Sequence, residues 1–250
     1  MPDNVIRADH RLAYNYSPGA EPGIVFLGGL RSDMNGTKAL ALEAWARDRG
    51  QAFLRLDYSG HGISDGTFEA GCIGDWAADA LAVIERATDG PQIFVGSSMG
   101  GWIALLIARD HPERVAGLVT IAAAPDFTED GFWADFSEAQ RLDLLEKGQV
   151  ALPSAYGDPY VITRHLIEEG RQNLVLRTPL SLPFPVRLLQ GTADAEVPTG
   201  TALRLLAHAE SPDMRLTVVD GADHRFSSED CLRLIEREVE DVLARLPADD

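Results

Sequence analysis

The sequence predicts a doubly wound, mostly parallel α/β sheet carrying a helical insertion, and three observations predict it. Six short aliphatic runs recur along the chain, and most end in glycine or another small residue. Longer amphipathic stretches separate them. The alternation breaks once, between Pro125 and Pro185, where the pattern turns irregular.

Taken in order, residues 4–16 suit an antiparallel hairpin at one edge of the sheet. The runs "GIVFLGG" (23–29), "QAFLRLDY" (51–58), "PQIFVGS" (91–97), "VAGLVTIAA" (115–123), "PVRLLQG" (185–191) and "MRLTVVDG" (214–221) read as parallel strands. Short continuous apolar runs fit a sheet buried on both faces. Between them, "TKALALEAWARDRG", "IGDWAADALAVIERAT", "WIALLIARDH", "GTALRLLAHA" and "EDCLRLIEREVEDVLARL" read as helices. In the last, Leu232, Ile235, Val239, Val242 and Leu246 recur every three or four residues and mark one sheet-facing stripe. Within the irregular stretch, Phe127, Phe132, Trp133 and Phe136 cluster. Ser137 with Gln140 forms a capping-box start for "SEAQRLDLLEKG", Gly148 a stop, and "DPYVITRHLIEEG" suits a second short helix. The expected layout is one domain over 1–250 with a lid insertion at about 126–184, above the C-terminal edge of the sheet.

Bulk properties narrow the function. The 250 residues suffice for one large α/β domain, and 45% hydrophobic with 24% charged residues is ordinary for a globular chain. Acidic residues outnumber basic ones 39 to 22, and the net charge of -17 would repel phosphate backbones, so nucleic acid is not expected as a partner. No stretch reaches the ~18 unbroken apolar residues of a membrane span. The start, "MPDNVIRADHRLAYNY", carries no secretion or transit pattern, and Cys72 and Cys231 lack CxxC spacing. A cytoplasmic location is expected from these two features.

Ligands of an open α/β sheet bind at the carboxyl ends of its strands, so the residues there carry the most information. "VGSSMGGW" ends the strand 91–97 and opens a helix. A strained strand-to-helix turn needs small residues two before and two after its serine. Ser98 has Gly96 and Gly100 at those places, whereas Ser97 has Val95 and Met99, so Ser98 is the candidate nucleophile. A serine hydroxyl needs a general base, and the base needs a carboxylate to fix its tautomer. Asp194 follows the strand 185–191 and His224 follows the strand 214–221, which puts both at the edge that carries Ser98. Glu196, Asp126 and Asp130 are lesser candidates for the acid, and Asp223 reads as a turn residue. His10, His111, His165 and His208 sit in the hairpin, at helix ends or in the lid, and His61 in "YSGHGISDG" reads as part of a tight surface turn. Two backbone amides are needed for an oxyanion, and the expected donors are Met99 and, after "LGG", Leu30.

The stretches "SDMNGTKALALE", "RLDYSGHGISDG", "DGPQIFVGSSMGGW", "ARDHPERVAGLVTIAAAPD", "ALPSAYGDPY", "PVRLLQGTADAEVP" and "SPDMRLTVVDGADHR" resemble the α/β-hydrolase superfamily and, within it, the group of α/β-hydrolase-domain-containing protein ten. The resemblance covers nearly the whole chain and implies the α/β-hydrolase fold. The family's nucleophile, acid and base fall on Ser98, Asp194 and His224. It also implies hydrolysis of acyl bonds, in acyl-protein thioesters and acyl glucuronide esters. The chain departs from the wider family in having Gly28-Gly29 where His-Gly or Pro-Gly is common.

The expectation is therefore a serine hydrolase without metal or cofactor, acting on a small-molecule or acylated-protein substrate through an acyl-enzyme on Ser98. Phe127, Phe132, Trp133 and Phe136 are expected to wall the acyl pocket. The rival readings are a short-chain carboxylesterase and a catalytically silent module that binds a hydrophobic ligand. Aminopeptidases of this fold grip an amine with acidic lid residues, for which Glu168 and Glu169 are the candidates. Oligomeric state has no signature in the sequence.

Overall fold

In the computed structural model, which describes residues 2–154 and 157–246, an eight-stranded sheet has the order Asp3–Arg7 (β1), His10–Ser17 (β2), Gln51–Leu56 (β4), Ala20–Leu27 (β3), Gln92–Ser97 (β5), Val115–Ile121 (β6), Val186–Gly191 (β10) and Met214–Val219 (β12). The edge hairpin is β1 (Asp3–Arg7) and β2 (His10–Ser17), antiparallel to each other, and β2 runs antiparallel to its other neighbour, β4. The remaining strands run parallel: β3 (Ala20–Leu27), β4 (Gln51–Leu56), β5 (Gln92–Ser97), β6 (Val115–Ile121), β10 (Val186–Gly191) and β12 (Met214–Val219). The six apolar runs account for these six strands, each within a few residues of its expected bounds. After β3 the chain moves one way to β4, then returns past β3 to β5, so the strand order reverses between β3 and β5. That switch point is where an open α/β sheet leaves a crevice at its carboxyl edge.

Helices cover both faces. On one side α1 (Thr37–Asp48) and α7 (Glu229–Leu243) bury Ala39, Leu42, Trp45, Ile235, Val239 and Val242 against Ile24, Phe53, Ile93 and Val119. On the other, α2 (Ile73–Ala87) and α3 (Met99–Asp110) bury Trp76, Val83, Trp102 and Leu105 against Val25, Leu54 and Phe94. Adjacent side chains of each strand thus enter opposite cores, which is why the strands are apolar without alternation. The arrangement is that of a doubly wound α/β-hydrolase fold, as the sequence predicts. Among the described residues, no helix is long and apolar enough to cross a membrane.

Between β6 and β10 the chain leaves the sheet. A π-type turn, Thr128–Trp133, leads to α4 (Glu138–Lys147), whose capping box at Ser137 and Gln140 and left-handed Gly148 stop are both present. A hairpin follows, β7 (Gln149–Ser154) with β8 (Gly157–Thr163), then α5 (Arg164–Gly170) and the short β9 (Leu180–Ser181). The short helix expected over 158–170 is therefore half strand: it begins only at Arg164, where the Thr163 side chain accepts from the Leu166 amide and caps it. Ala155 and Tyr156, inside the quoted stretch "ALPSAYGDPY", lie outside the described residues, as do Met1 and 247–250. Past β10, α6 (Thr199–His208) and β11 (Ala209–Glu210), which pairs with β9, lead into β12.

Candidate active site

Ser98 sits between β5 and α3 with φ 55° and ψ −118°, a conformation that costs a non-glycine residue about 1–3 kcal/mol. The surroundings over-determine it. Its amide donates to the Ile121 carbonyl (2.9 Å), and its own carbonyl accepts from Gly101 (2.9 Å) and Ala124 (3.1 Å). A Cβ at Gly100 would collide with the carbonyl oxygens of Leu27 and Gly28, and one at Gly96 would lie 2.5 Å from the Gly100 carbonyl oxygen. Small residues are required at both places because backbone meets backbone, so the glycine spacing in the sequence reports real contacts.

The expected acid and base come from the ends of β10 and β12, two and three strands along the sheet from β5. His224 Nε2 lies 3.1 Å from Ser98 Oγ, and His224 Nδ1 lies 2.9 Å from Asp194 Oδ2. The Asp194 side chain is fully buried. Its Oδ1 accepts from the amides of Glu196 (2.9 Å) and Val197 (2.8 Å), and its Oδ2 also accepts from Gln190 Nε2 (3.0 Å). Burial pushes this carboxyl up, but the bonds from His224 and from the Val197 and Glu196 amides outweigh it and hold the group below its ordinary range. An ionised Asp194 can only accept, so Nδ1 carries the imidazole proton and the Nε2 lone pair is left for the Ser98 hydroxyl. Glu196 is not the orienting acid; its carboxylate lies 3.4 Å from Nε2, at the cleft side of the ring. Asp126 and Asp130 are engaged elsewhere, both with Arg177. Asp223 serves as a turn residue, its Oδ1 accepting from the Phe226 amide (3.1 Å).

The turn after β3 faces this relay. Ser32 donates from both its hydroxyl (2.7 Å) and its amide (3.2 Å) to the Gly29 carbonyl, and Tyr58 donates to the Gly28 carbonyl (3.2 Å). A Cβ at Gly29 would come within 3.3 Å of the Ser98 Cβ, so this backbone lies against the serine. Leu30 lines the same cleft as Ser98, while Met99 is buried at the first position of α3, where amides are free of intrahelical acceptors and the helix dipole is positive.

The cleft measures about 760 Å³ and is walled by two kinds of residue. Leu30, Phe132, Leu152 and Tyr160 supply apolar surface, and Lys38, Glu196 and Arg225 supply charge. Of the four aromatics expected here, only Phe132 lines it. Phe127 packs edge-on between Trp102 (5.4 Å) and Phe132 (5.3 Å), and Phe136 is buried, stacked parallel to Phe132. Trp133 faces away, beneath the guanidinium groups of Arg171 (4.6 Å) and Arg141 (5.2 Å). These three support the wall from behind. The sequence reading missed Leu152 and Tyr160, which arrive on the unpredicted hairpin, and Arg31, whose guanidinium lies over the rings of Phe68 (4.6 Å) and Tyr160 (5.6 Å).

Two of the other histidines take structural places. His61 is buried, not at the surface as expected, with its ring set edge-on to Tyr58, Phe68 and Trp76; burial pushes its pKa down and keeps it neutral. His208 Nε2 lies 2.8 Å from the Thr178 carbonyl. Glu168 pairs with Arg164, and Glu169 accepts from the Gly74 amide and from Asn173, so neither acidic residue enters the cleft. One group among the described residues, Cys72, Asp75 and His165, has the spacing of metal ligands. Its thiol is pushed up by burial and donates to Asp75 (3.2 Å), whereas a ligand must be a thiolate. None of the three lines the cleft.

The family model for the α/β-hydrolase fold matches residues 24–172. Mitochondrial palmitoyl-protein thioesterase ABHD10 of Rattus norvegicus is 37% identical over 237 residues, covering 94% of this chain and 80% of the relative. The Homo sapiens protein of the same name is 36% identical and covers 94% of this chain and 77% of its own length. Among solved structures, α/β hydrolase domain-containing protein 10 from mouse superposes with a TM-score of 0.90 at 33% identity, covering 98% of this chain and 99% of that one. These relatives overturn the cytoplasmic expectation, since the curated ones are named as mitochondrial and point there instead. The cysteines never carried that information. Cys72 and Cys231 are free and buried, on opposite sides of the sheet, so they could not pair in any compartment.

Proposed function

The chain belongs to the α/β-hydrolase fold family, and from that premise we propose that it cleaves acyl thioesters or esters through an acyl-enzyme on Ser98. The observation that carries the reading is the continuous relay from Asp194 through His224 to a serine held in a strained turn. Nε2 of His224 takes the Ser98 proton as Oγ attacks the acyl carbonyl. The Leu30 and Met99 amides receive the negative charge that develops on the carbonyl oxygen. As the tetrahedral intermediate collapses, the bond to the leaving thiol or alcohol breaks and His224 returns the proton to it. Water then repeats the sequence: His224 deprotonates it, it attacks the acyl-enzyme, and the acid departs as Ser98 recovers its proton. Asp194 stays ionised throughout and orients the ring.

In this reading the whole chain, 1–250, acts as one domain, and residues 126–184 form its lid. Phe132, Leu152 and Tyr160 from the lid and Leu30 from the body receive the acyl chain, with Phe127, Trp133 and Phe136 as support. The cleft falls inside the range of about 300–1,000 Å³ common for ligand pockets. The relatives' name, palmitoyl-protein thioesterase, supports a long acyl chain on a thiol as the substrate class. A fluorophosphonate probe and a panel of paired esters and thioesters of increasing chain length test it. Labelling and turnover should both vanish in Ser98→Ala, and rates should rise with chain length. Turnover confined to short esters would favour the short-chain carboxylesterase, and no labelling of the wild type would leave a silent binding module.

A further inference from the structure

Ser98 is locked by its elbow and Asp194 by four donors, but His224 stands on the connection from β12 to α7. That connection is anchored on either side of the histidine. Before it, the Ala222 carbonyl accepts from the Ala193 amide (3.0 Å). After it, Phe226 adopts φ 49°, donates back to the Asp223 carbonyl (3.2 Å), and is fully buried in the core beneath the sheet. Between Ala222 and Phe226 lie Asp223, His224 and Arg225. The Arg225 carbonyl accepts a hydrogen bond of 2.5 Å from Lys38 Nζ, which reaches it from α1, 187 positions away in sequence.

The placement of that lysine is costly. Lys38 is the second residue of α1, where the helix dipole is positive, and the first turn holds no acidic residue to offset it. Its side chain is half-buried along the cleft wall, and burial pushes its pKa below that of an ordinary lysine, with Asp223 opposing the shift and Arg225 adding to it. A lysine with a solvent-facing rotamer would avoid both penalties. Here the ammonium instead spans from α1, whose Ala39 and Leu42 are fixed in the core, to the backbone beside the imidazole.

We infer that Lys38 is a positioning residue for His224, its ammonium clamping the Arg225 carbonyl and thereby setting the reach of Nε2 to Ser98 Oγ. The inference rests on the function proposed above. A base held loosely by about 1 Å can lose about a hundredfold in rate without any loss of substrate affinity. A direct contact between Lys38 and substrate would behave otherwise, raising KM and leaving the serine's intrinsic reactivity alone.

The test uses the full chain with Lys38→Met, Lys38→Gln and Lys38→Arg, read by fluorophosphonate labelling rate, by kcat and KM on a short p-nitrophenyl ester, and by thermal melting. Lys38→Met should lower kcat and the labelling rate together by about 10- to 100-fold, with KM within about twofold. Lys38→Arg keeps a cationic donor and should recover most of the rate, and Lys38→Gln, a shorter neutral donor, should fall between. Wild-type labelling rates in a folded Lys38→Met variant, or a loss expressed in KM alone, overturn the inference. So does loss of folding in all three variants, which would make Lys38 a support of the body and not of the base. If the wild type labels at Ser98 and the Met variant labels equally, only this inference fails. A wild type without Ser98-dependent labelling removes the proposed function itself.

Discussion

The elbow at Ser98 and the insertion between β6 and β10 face each other across one cleft, yet they are held by different kinds of contact. At the elbow, backbone packs on backbone: Gly96 and Gly100 leave no room for a methyl group, and the strained serine is tied to Ile121, Gly101 and Ala124. Around the cleft the insertion is shaped by side chains: within it Arg177 bridges Asp126 and Asp130 and Arg171 pairs with Glu129 (2.6 Å), and from the body Arg204 reaches Asp130 (2.6 Å) and Arg31 lies against Tyr160, while away from the cleft β9 pairs with β11 backbone to backbone. Contacts between backbones fix atoms to a fraction of an ångström, whereas long charged side chains hold a surface while letting it adjust. On the proposed mechanism, the difference gives bond-breaking to the rigid wall and substrate fit to the adjustable one.

Substitutions can break that contrast from either side. On the rigid wall, Asp194→Asn should leave the fold intact but present the wrong imidazole tautomer, lowering kcat by about 10⁴-fold with little change in KM. Steady-state kinetics on any accepted ester reads it. Gly100→Ala should force Leu27 and Gly28 away from α3 and destabilise the protein by about 3 kcal/mol, measured by denaturant unfolding. On the adjustable wall, Phe132→Ala should raise KM for long acyl chains about tenfold and leave short esters nearly unaffected. If Phe132→Ala instead reduced kcat on short esters as severely as Asp194→Asn, the division between the walls would be wrong.

The smallest effect concerns two carboxylates whose pKa values move in opposite directions. Burial pushes Asp126 up, despite donors at Val175 and Leu176, because it is enclosed where the chain leaves the sheet. At the far side of the molecule, hydrogen bonds from Arg245 and Arg187 pull Asp241 down to about 2. A carboxyl depressed in the folded state stabilises above its unfolded value of about 3.9, and that stability is lost as pH falls through the folded value. A raised one has the reverse sign: the folded state binds the proton more tightly, so acidification adds stability between the unfolded and folded values. Melting curves between pH 3 and 7 should therefore show the penalty of Asp241→Asn shrinking below about pH 4. Relative to wild type, Asp126→Asn should fare better at neutral pH than at pH 4. Each trend should amount to about 1 kcal/mol or less after solvent screening.

The rigid wall was also the legible one. Strands with both faces buried are written as unbroken apolar runs, and the elbow's glycines, the Asp194 loop and the His224 loop each sit a fixed step beyond a run. Local pattern and position coincide there. The adjustable wall follows other rules. β7 and β8 pair only with each other among the described residues, and Pro159 interrupts the second, so neither carries a strand signature and Leu152 and Tyr160 went unnoticed. The aromatic cluster was visible in the composition of 127–136, but which ring faces the cleft depends on a π-type turn that no periodicity announces. Lys38, Arg31 and Glu196 depend on partners far away in sequence or on which way a loop turns, and a single chain read residue by residue contains no mark of such pairing.

The central claim is that bond-breaking belongs to the second serine of the pair. Acid quenching during turnover of a palmitoyl thioester, followed by peptide mapping of the wild type and of Asp194→Asn, locates the acyl group directly. An adduct of one palmitoyl group is expected on Ser98 and none in Ser98→Ala. An adduct on Ser97, or turnover that persists when Ser98 is replaced by alanine, would contradict it.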